Sequence, residues 1–340
     1  MRVLAVTNLW PENGSHRGVF VAEQVAALRR LGHEVDVEVV AQSRGTKDYV
    51  LAVPRVRRRA RSGRYDVVHV HYGMTAFAAR FAGPTPRVLS LYGSDVNSPK
   101  ERRITRLGSG GLAARLYVSR RLAATAGDPA GQVVPNGVDF TVFTPGDRAA
   151  ARQRLGLPAE GPVVLFGGSP ENAVKGYDVF TDVLARLPGA RGLILSAPGQ
   201  PVEDVVTKYR AADVLLFTSR RGSEGSPTVV KEATAVGLPV VSVDVGDTAE
   251  ILGSVTPSEV VAFPEPWGTP GARETLVSAL ADATAEVLGA GVRSDGRERN
   301  AWLDSPRIAE RIAAIYREVA GAGAAAGTGG AAGAAGVAGR

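Results

Sequence analysis

The chain has 340 residues, 44% hydrophobic and 22% charged, with 40 Lys and Arg against 34 Asp and Glu and a net charge of +6. That length exceeds one ordinary hydrophobic core and favours two domains, and the composition is that of a globular protein rather than a disordered one. The absence of cysteine excludes disulfides, thiolate metal sites and cysteine nucleophiles, and the four histidines (His16, His33, His69, His71) lack the helical spacing of a zinc hydrolase, so no metal site is expected.

In chain order, residues 2–9 form a short apolar run, followed by a Gly- and Pro-containing loop from Trp10 to Gly18. A helical pattern follows with Val21, Val25 and Leu28 on one face and Gly32 as its stop, and Glu34 to Ala41 reads as a second strand. The start shows no secretory pattern, and no apolar run approaches the roughly 20 residues that a membrane span needs, so a cytoplasmic protein is expected. The basic run Arg55, Arg57, Arg58, Arg59, Arg61 and Arg64 has no interleaved aromatics to stack on bases, so nucleic acid is not an expected partner. It reads first as a solvated helix face and second as a peripheral contact with anionic lipid at the inner face of the membrane.

Further strands are expected at Asp66 to Tyr72, Arg87 to Tyr92, Arg115 to Ser119 and Val133 to Pro135. After a polar segment a second series follows at Val163 to Phe166, Gly192 to Ser196, Asp213 to Thr218, Pro239 to Asp244 and Val260 to Phe263. Strands alternating with helices imply parallel sheets covered on both faces. The expected organisation is an α/β domain over 1–150, a second over 151–305, an amphipathic helix over 306–320 carrying Ile308, Ile312 and Ile315, and a Gly/Ala-rich disordered tail over 321–340.

The strand Asp213 to Ser219 ends in a loop, and the next helix is expected to open with Ser226 as N-cap and Pro227 at its first position. Free N–H groups at Ser226 to Thr228, above the carboxyl end of a parallel sheet, suit a phosphate. Glu224 and Glu232 flank this start; neither is placed for a capping box, and two carboxylate oxygens match a diol. The bland alternative is a loop charge and a surface helix residue. Lys175 is expected to head a helix reaching Leu187, where a cation opposes the helix dipole and is better explained by a ligand, although a solvated lysine fits too. Gly18 would let backbone approach an anion closely. Asp95 could take an acceptor's proton or cap a turn, and Asn136 reads as a turn residue at positive φ.

Glu224 and Glu232, within Glu-Gly-Ser-Pro-Thr-Val-Val-Lys-Glu-Ala-Thr-Ala-Val-Gly-Leu-Pro, resemble the signature of the group 1 retaining glycosyltransferases. The similarity extends to Arg17-Gly18, Leu31 to Val35, Asp66 to His71, Tyr92 to Asp95, Val134 to Asp139 with Phe143, and Val174 to Asp178. It implies a GT-B fold, two Rossmann-like domains facing across a cleft with the C-terminal helix returning to the first, and metal-independent transfer of a sugar from a nucleotide-sugar with retention. UDP-, GDP- and dTDP-sugars remain open as donors. No other cofactor is implied, and the acceptor is a small molecule or is lipid-linked. By this resemblance Glu224 touches the sugar, Glu232 the ribose and Lys175 the diphosphate, with Gly18, Gly225, Ser226, Pro227 and Thr228 completing the donor site; Glu224, Lys175 and Asp95 are the catalytic candidates. Two departures stand out. Tyr92 occupies a position where the family often has histidine, leaving His71, Tyr92 and Asp95 as acceptor-side candidates. Gly167 to Asn172 lacks an expected arginine, for which Arg17, Arg220 and Arg221 are substitutes. A nucleotide-sugar epimerase of the same fold and an inactive binding module are the competing readings.

Overall fold

The computed structural model describes residues 1–11, 18–40, 44–195 and 200–329. The first sheet contains β1 (Arg2–Thr7), β2 (Glu34–Val39), β3 (Val67–His71), β4 (Arg87–Leu91), β5 (Ala114–Tyr117) and β6 (Gln132–Val133). The second contains β7 (Val163–Phe166), β8 (Arg191–Ile194), β9 (Val214–Phe217), β10 (Val240–Val243) and β11 (Glu259–Val261). The strand orders are β2-β1-β3-β4-β5-β6 and β11-β10-β9-β7-β8, and every pairing is parallel. Each order reverses direction once, beside β1 in the first sheet and beside β7 in the second. A crevice opens above the carboxyl ends of strands at such a reversal.

The strands of β3, β4, β7, β9 and β10 are buried throughout, as expected of Val- and Leu-rich runs covered on both faces. One face of the first sheet is closed by the helix Val19–Arg30 and by the last helix, whose Ile308, Ile312, Ile315 and Tyr316 pack with Val3, Ala5, Val67 and Val88. The C-terminal helix thus returns to the first domain. It runs Ser305–Gly329, so the backbone of 321–329 is helical where the sequence reading places a disordered tail; 330–340 lie outside the described residues. Helix continuation needs only backbone bonds, which Ala supports well.

The chain leaves the first domain earlier than the sequence suggests. Arg148–Arg154 is a helix capped by Asp147 that packs beside Val202–Ala211 of the second domain. The crossing lies at 134–144, alongside the returning segment: Val138 N donates to Leu303 O (3.0 Å) and Ser305 N to Val138 O (2.9 Å). Arg297 fastens the pair by donating to the carbonyls of Phe140, Phe143 and Ala235. Asn136 does not adopt the expected positive φ, which among described non-Gly residues occurs at Arg64 and Tyr72. Its carbonyl instead accepts from Lys231 Nζ at 3.1 Å.

Lys231 is the ammonium on which this junction turns. It is fully buried, on the helix Thr228–Val236, and also donates to Ser226 Oγ, which in turn donates to Asp247 Oδ2 at 2.6 Å. Asp247 Oδ2 stands 3.9 Å from Nζ, while its Oδ1 has no partner among the described residues. Burial pushes the lysine pKa down and the aspartate pKa up, so desolvation outweighs the attraction between them. We expect Lys231→Met to cost about 3 kcal/mol in denaturant unfolding, because it strands a buried carboxylate. Adding Asp247→Asn should recover much of that loss; simple additivity would show that the two groups are not coupled.

The first domain hides a second polar chain. His69 Nδ1 meets Tyr316 OH at 2.5 Å and its Nε2 meets Ser90 Oγ at 2.8 Å; His71 Nδ1 meets Tyr92 OH at 2.6 Å. Burial holds His71 down to about 3 and His69 well below its ordinary value of 6.5. The unfolded chain therefore takes up protons below 6.5 that the folded chain refuses, and the stability present above that pH is lost as pH falls toward 3. From about pH 6.5 to 4.5 the native protein should lose stability more steeply than His71→Gln, by about 1.4 kcal/mol per pH unit. Parallel urea-unfolding curves would contradict this.

Candidate functional site

The loops after β7 and β9, the strands beside the second sheet's reversal, carry the donor-side candidates. After β7 the chain forms a short 3-10 turn, Ala173–Lys175, and only then the helix Tyr177–Leu184, with Gly176 at φ 68° between them. Lys175 therefore does not head an α-helix as expected, and the dipole argument for it lapses. Its position is fixed otherwise: Thr218 Oγ1 accompanies the carbonyls of Lys175 (3.1 Å) and Gly176 (3.0 Å), tying the turn to the end of β9. The Lys175 Nζ lies 2.8 Å from Glu224 Oε1 and 5.6 Å from the Phe217 ring centroid. Ser219 Oγ donates to the same Glu224 oxygen at 2.8 Å.

The following helix is Thr228–Val236, one residue later than predicted from the cap pattern. Pro227 occupies the N-cap, and Ser226 is drawn into the buried Lys231–Asp247 group rather than capping. No side chain caps the first turn, so its N–H groups are left for another acceptor. Glu232 sits further along and accepts from the buried Tyr209 OH at 2.6 Å. Burial raises its pKa, opposed first by the Tyr209 hydrogen bond and then by Lys231 and Lys175. Glu224 and Glu232 are thus neither free loop charge nor surface residue, and they lie on either side of the helix start.

The first domain faces this point. A Cβ on Gly225 would fall 1.8 Å from the Tyr92 carbonyl oxygen, so the two domains meet here at a distance that only glycine permits. Asn97 Nδ2 reaches Gly222 O at 3.4 Å, and Arg121 grips Asp244 Oδ1 at 2.7 Å on the neighbouring loops. Phe20 packs on Tyr92 with ring centroids 4.9 Å apart. Gly18, at φ 82°, precedes the helix Val19–Arg30; a Cβ there would lie 2.3 Å from the Leu9 carbonyl carbon, so its glycine is already required by the loop's own closure.

The acceptor-side expectations change most. Asp95 is fully buried, and its carboxylate accepts from the backbone N–H groups of Gly73 (3.1 Å), Tyr92 (3.1 Å) and Gly93 (2.8 Å). It is the cap of the loop, with its pKa raised to about 6 because burial exceeds the help of those bonds. His71 is buried behind Tyr92 and does not line the cleft. Burial likewise raises the Tyr92 pKa well above its ordinary value. Of the substitute cations, Arg220 pairs with Asp178 at 2.7 Å and Arg221 with Glu265, both on the surface, and Arg17 lies outside the described residues.

Two participants escaped the sequence. Lys231 is fully buried although it is a cation; the signal for it is that the helix Thr228–Val236 has apolar residues nearly all round, the mark of a buried helix. Glu23, on the first-domain helix, has its pKa pushed up to about 7, first by burial and then by the charges of Glu232 and Asp139. A lone glutamate on an amphipathic helix carries no signal of that kind.

Residues 18–142 match the family model described as Glycosyltransferase Family 4, and residues 196–288 match Glycosyl transferases group 1. The D-inositol 3-phosphate glycosyltransferase of Mycobacterium sp. (strain KMS) is 32% identical over 247 residues, 58% of this chain and 56% of that protein. The enzyme of the same name from Acidothermus cellulolyticus is 30% identical over 255 residues, with the same shares. The chain spans about half the length of these curated relatives (56%). Among solved structures, sucrose-phosphate synthase from Thermosynechococcus elongatus superposes with a TM-score of 0.76 at 18% identity, covering 95% of this chain and 100% of that one. Anabaena HepE in complex with UDP gives 0.68 at 18%, covering 94% and 100%. The paired parallel-sheet domains have the GT-B fold, and the chain belongs to the group 1 glycosyltransferases.

Proposed function

We propose that the protein transfers a sugar from a nucleotide-diphosphate-sugar to an acceptor hydroxyl, with retention of configuration and without a metal ion. The observation that carries this reading is the Lys175–Glu224 pair, 2.8 Å apart, beside the uncapped start of Thr228–Val236, with Glu232 further along the same helix. A diphosphate would take the helix N–H groups and the ammonium, Glu224 would turn to the sugar hydroxyls, and Glu232 would accept from the ribose diol. The UDP bound to the HepE structure supports a nucleotide donor.

The reaction breaks the bond between the anomeric carbon and the diphosphate oxygen and forms one to the acceptor oxygen on the same face. Lys175 and the helix start stabilise the negative charge that develops on the leaving diphosphate, the role a divalent cation would otherwise fill. Asp95 is committed to three backbone N–H groups and His71 is enclosed, so neither is free for the acceptor proton, which we assign to the departing diphosphate. Tyr92, opposite Gly225, borders the place where that acceptor would enter.

A thermal-shift screen of UDP-, GDP-, dTDP- and ADP-sugars should single out the donor, since a ligand that binds the native state raises Tm. With that donor, Lys175→Ala should lower kcat about 100-fold or more, and Glu224→Gln should impair turnover more than nucleotide affinity. Near-normal turnover in either variant would contradict the assignment. Donor converted without any acceptor, to its epimer, would favour the epimerase reading instead.

A further inference from the structure

The basic run at 55–64 does not behave as one patch. Arg55 turns inward to Glu38 and Asp48, and Arg59 donates to Glu38 at 2.8 Å. The helix Asp48–Ser62 is left with an outward face of Lys47, Val50, Leu51, Arg57, Arg58 and Arg61. Beyond the short helix Thr75–Ala79, against which both pack, the helix Pro99–Gly108 turns out Lys100, Arg103, Arg106 and Leu107. Arg80 lies beside the second of these: its Nη1 donates to the Leu107 carbonyl, and its guanidinium stands 5.9 Å from the Phe81 ring centroid.

Charge and apolar exposure coincide on this surface. Each helix has a single acid, and neither offers it to solvent: Asp48 is buried against Arg55, and Glu101 is half-buried and bonded to Tyr72 OH. Val50, Leu51, Phe81 and Leu107 are 61%, 66%, 52% and 56% exposed, well beyond what a scattered surface residue needs. Cations that have no counter-charge among the described residues, interleaved with exposed aliphatic and aromatic side chains, match a surface of anionic headgroups above acyl chains. A nucleic acid would use the cations but gain nothing from the apolar side chains, and no ring other than Phe81 is exposed there to stack on bases. No helix among the described residues is long and apolar enough to cross a membrane.

We infer that the outer face of the first domain, built by Asp48–Ser62, Phe81 and Pro99–Gly108, docks the protein peripherally on an anionic lipid bilayer. The inference goes beyond glycosyl transfer and does not depend on it. Both helices start at the cleft side of the first sheet, after β2 and β4, so docking along them leaves the cleft beside the bilayer, within reach of an acceptor anchored there.

The test is co-sedimentation of the full chain with phosphatidylcholine vesicles that contain or lack roughly one-third phosphatidylglycerol, at about 0.05 M and about 0.5 M salt. The chain should bind the anionic vesicles at low salt, lose about tenfold or more in binding at high salt, and ignore the neutral ones. R57Q/R58Q/R61Q should weaken binding by a similar factor, and V50D/L51D should weaken it at both salt concentrations. R186Q/R191Q, exposed cations of the second domain, should change nothing. Tm unchanged in each variant would show that the losses are not unfolding. Equal binding to neutral vesicles, no binding to anionic ones, equal losses in R186Q/R191Q, or capture by RNA but not by vesicles would each overturn the inference.

Discussion

The cleft exists because two parallel sheets present the carboxyl ends of their strands to one another. A parallel strand delivers its following loop to that end every time, and the reversal of strand order beside β1 and β7 keeps the neighbouring loops from closing over the crevice. The contacts of Tyr92 with Gly225, Asn97 with Gly222, Arg121 with Asp244 and Arg120 with Glu250 all join segments that follow strands. The site is therefore a property of two domains held at one separation. Gly225 stands at the close approach to Tyr92, and the two crossing segments pair at Val138 and Asp304.

Lys231 links these two constraints. Its ammonium touches the crossing segment through Asn136 and the loop before its own helix through Ser226, so the start of the helix Thr228–Val236 is tied to the crossing. A fully buried cation is a poor source of net stability, since desolvation offsets most of its attraction. Its effect is geometric: three groups from three segments must converge on one nitrogen. Glu23 adds a second coupling between the domains: burial first, and then the charges of Glu232 and Asp139, push its pKa up to about 7.

The sequence made the architecture legible, because buried parallel strands are apolar runs bounded by loops, and all eleven described strands fall on or within a residue or so of such runs. The positions of Glu224, Glu232 and Lys175 were equally readable from their place after strands. What failed depended on side-chain partners distant in sequence. Ser226 looked like a cap because nothing local reveals Asp247 and Lys231 beside it. Of the two readings of Asp95 the turn cap holds, and the Gly73 N–H that commits the carboxylate fully comes from a loop 22 residues away. His71, an acceptor-side candidate by its place at a strand end, is instead held behind Tyr92, a ring 21 residues away that bonds its Nδ1. The basic run looked uniform because helical phase decides which arginines find Glu38, and only the fold brings β2 alongside.

The central claim is that a nucleotide-sugar diphosphate seats between Lys175 and the start of Thr228–Val236. Amide hydrogen exchange, compared with and without the nucleotide-sugar that most stabilises the protein, tests it most directly, because the free N–H groups are the proposed ligands. The account predicts slowed exchange in peptides covering 167–177 and 224–232 together, with the remainder of the second domain little changed. Protection elsewhere with neither of these segments slowed would contradict it.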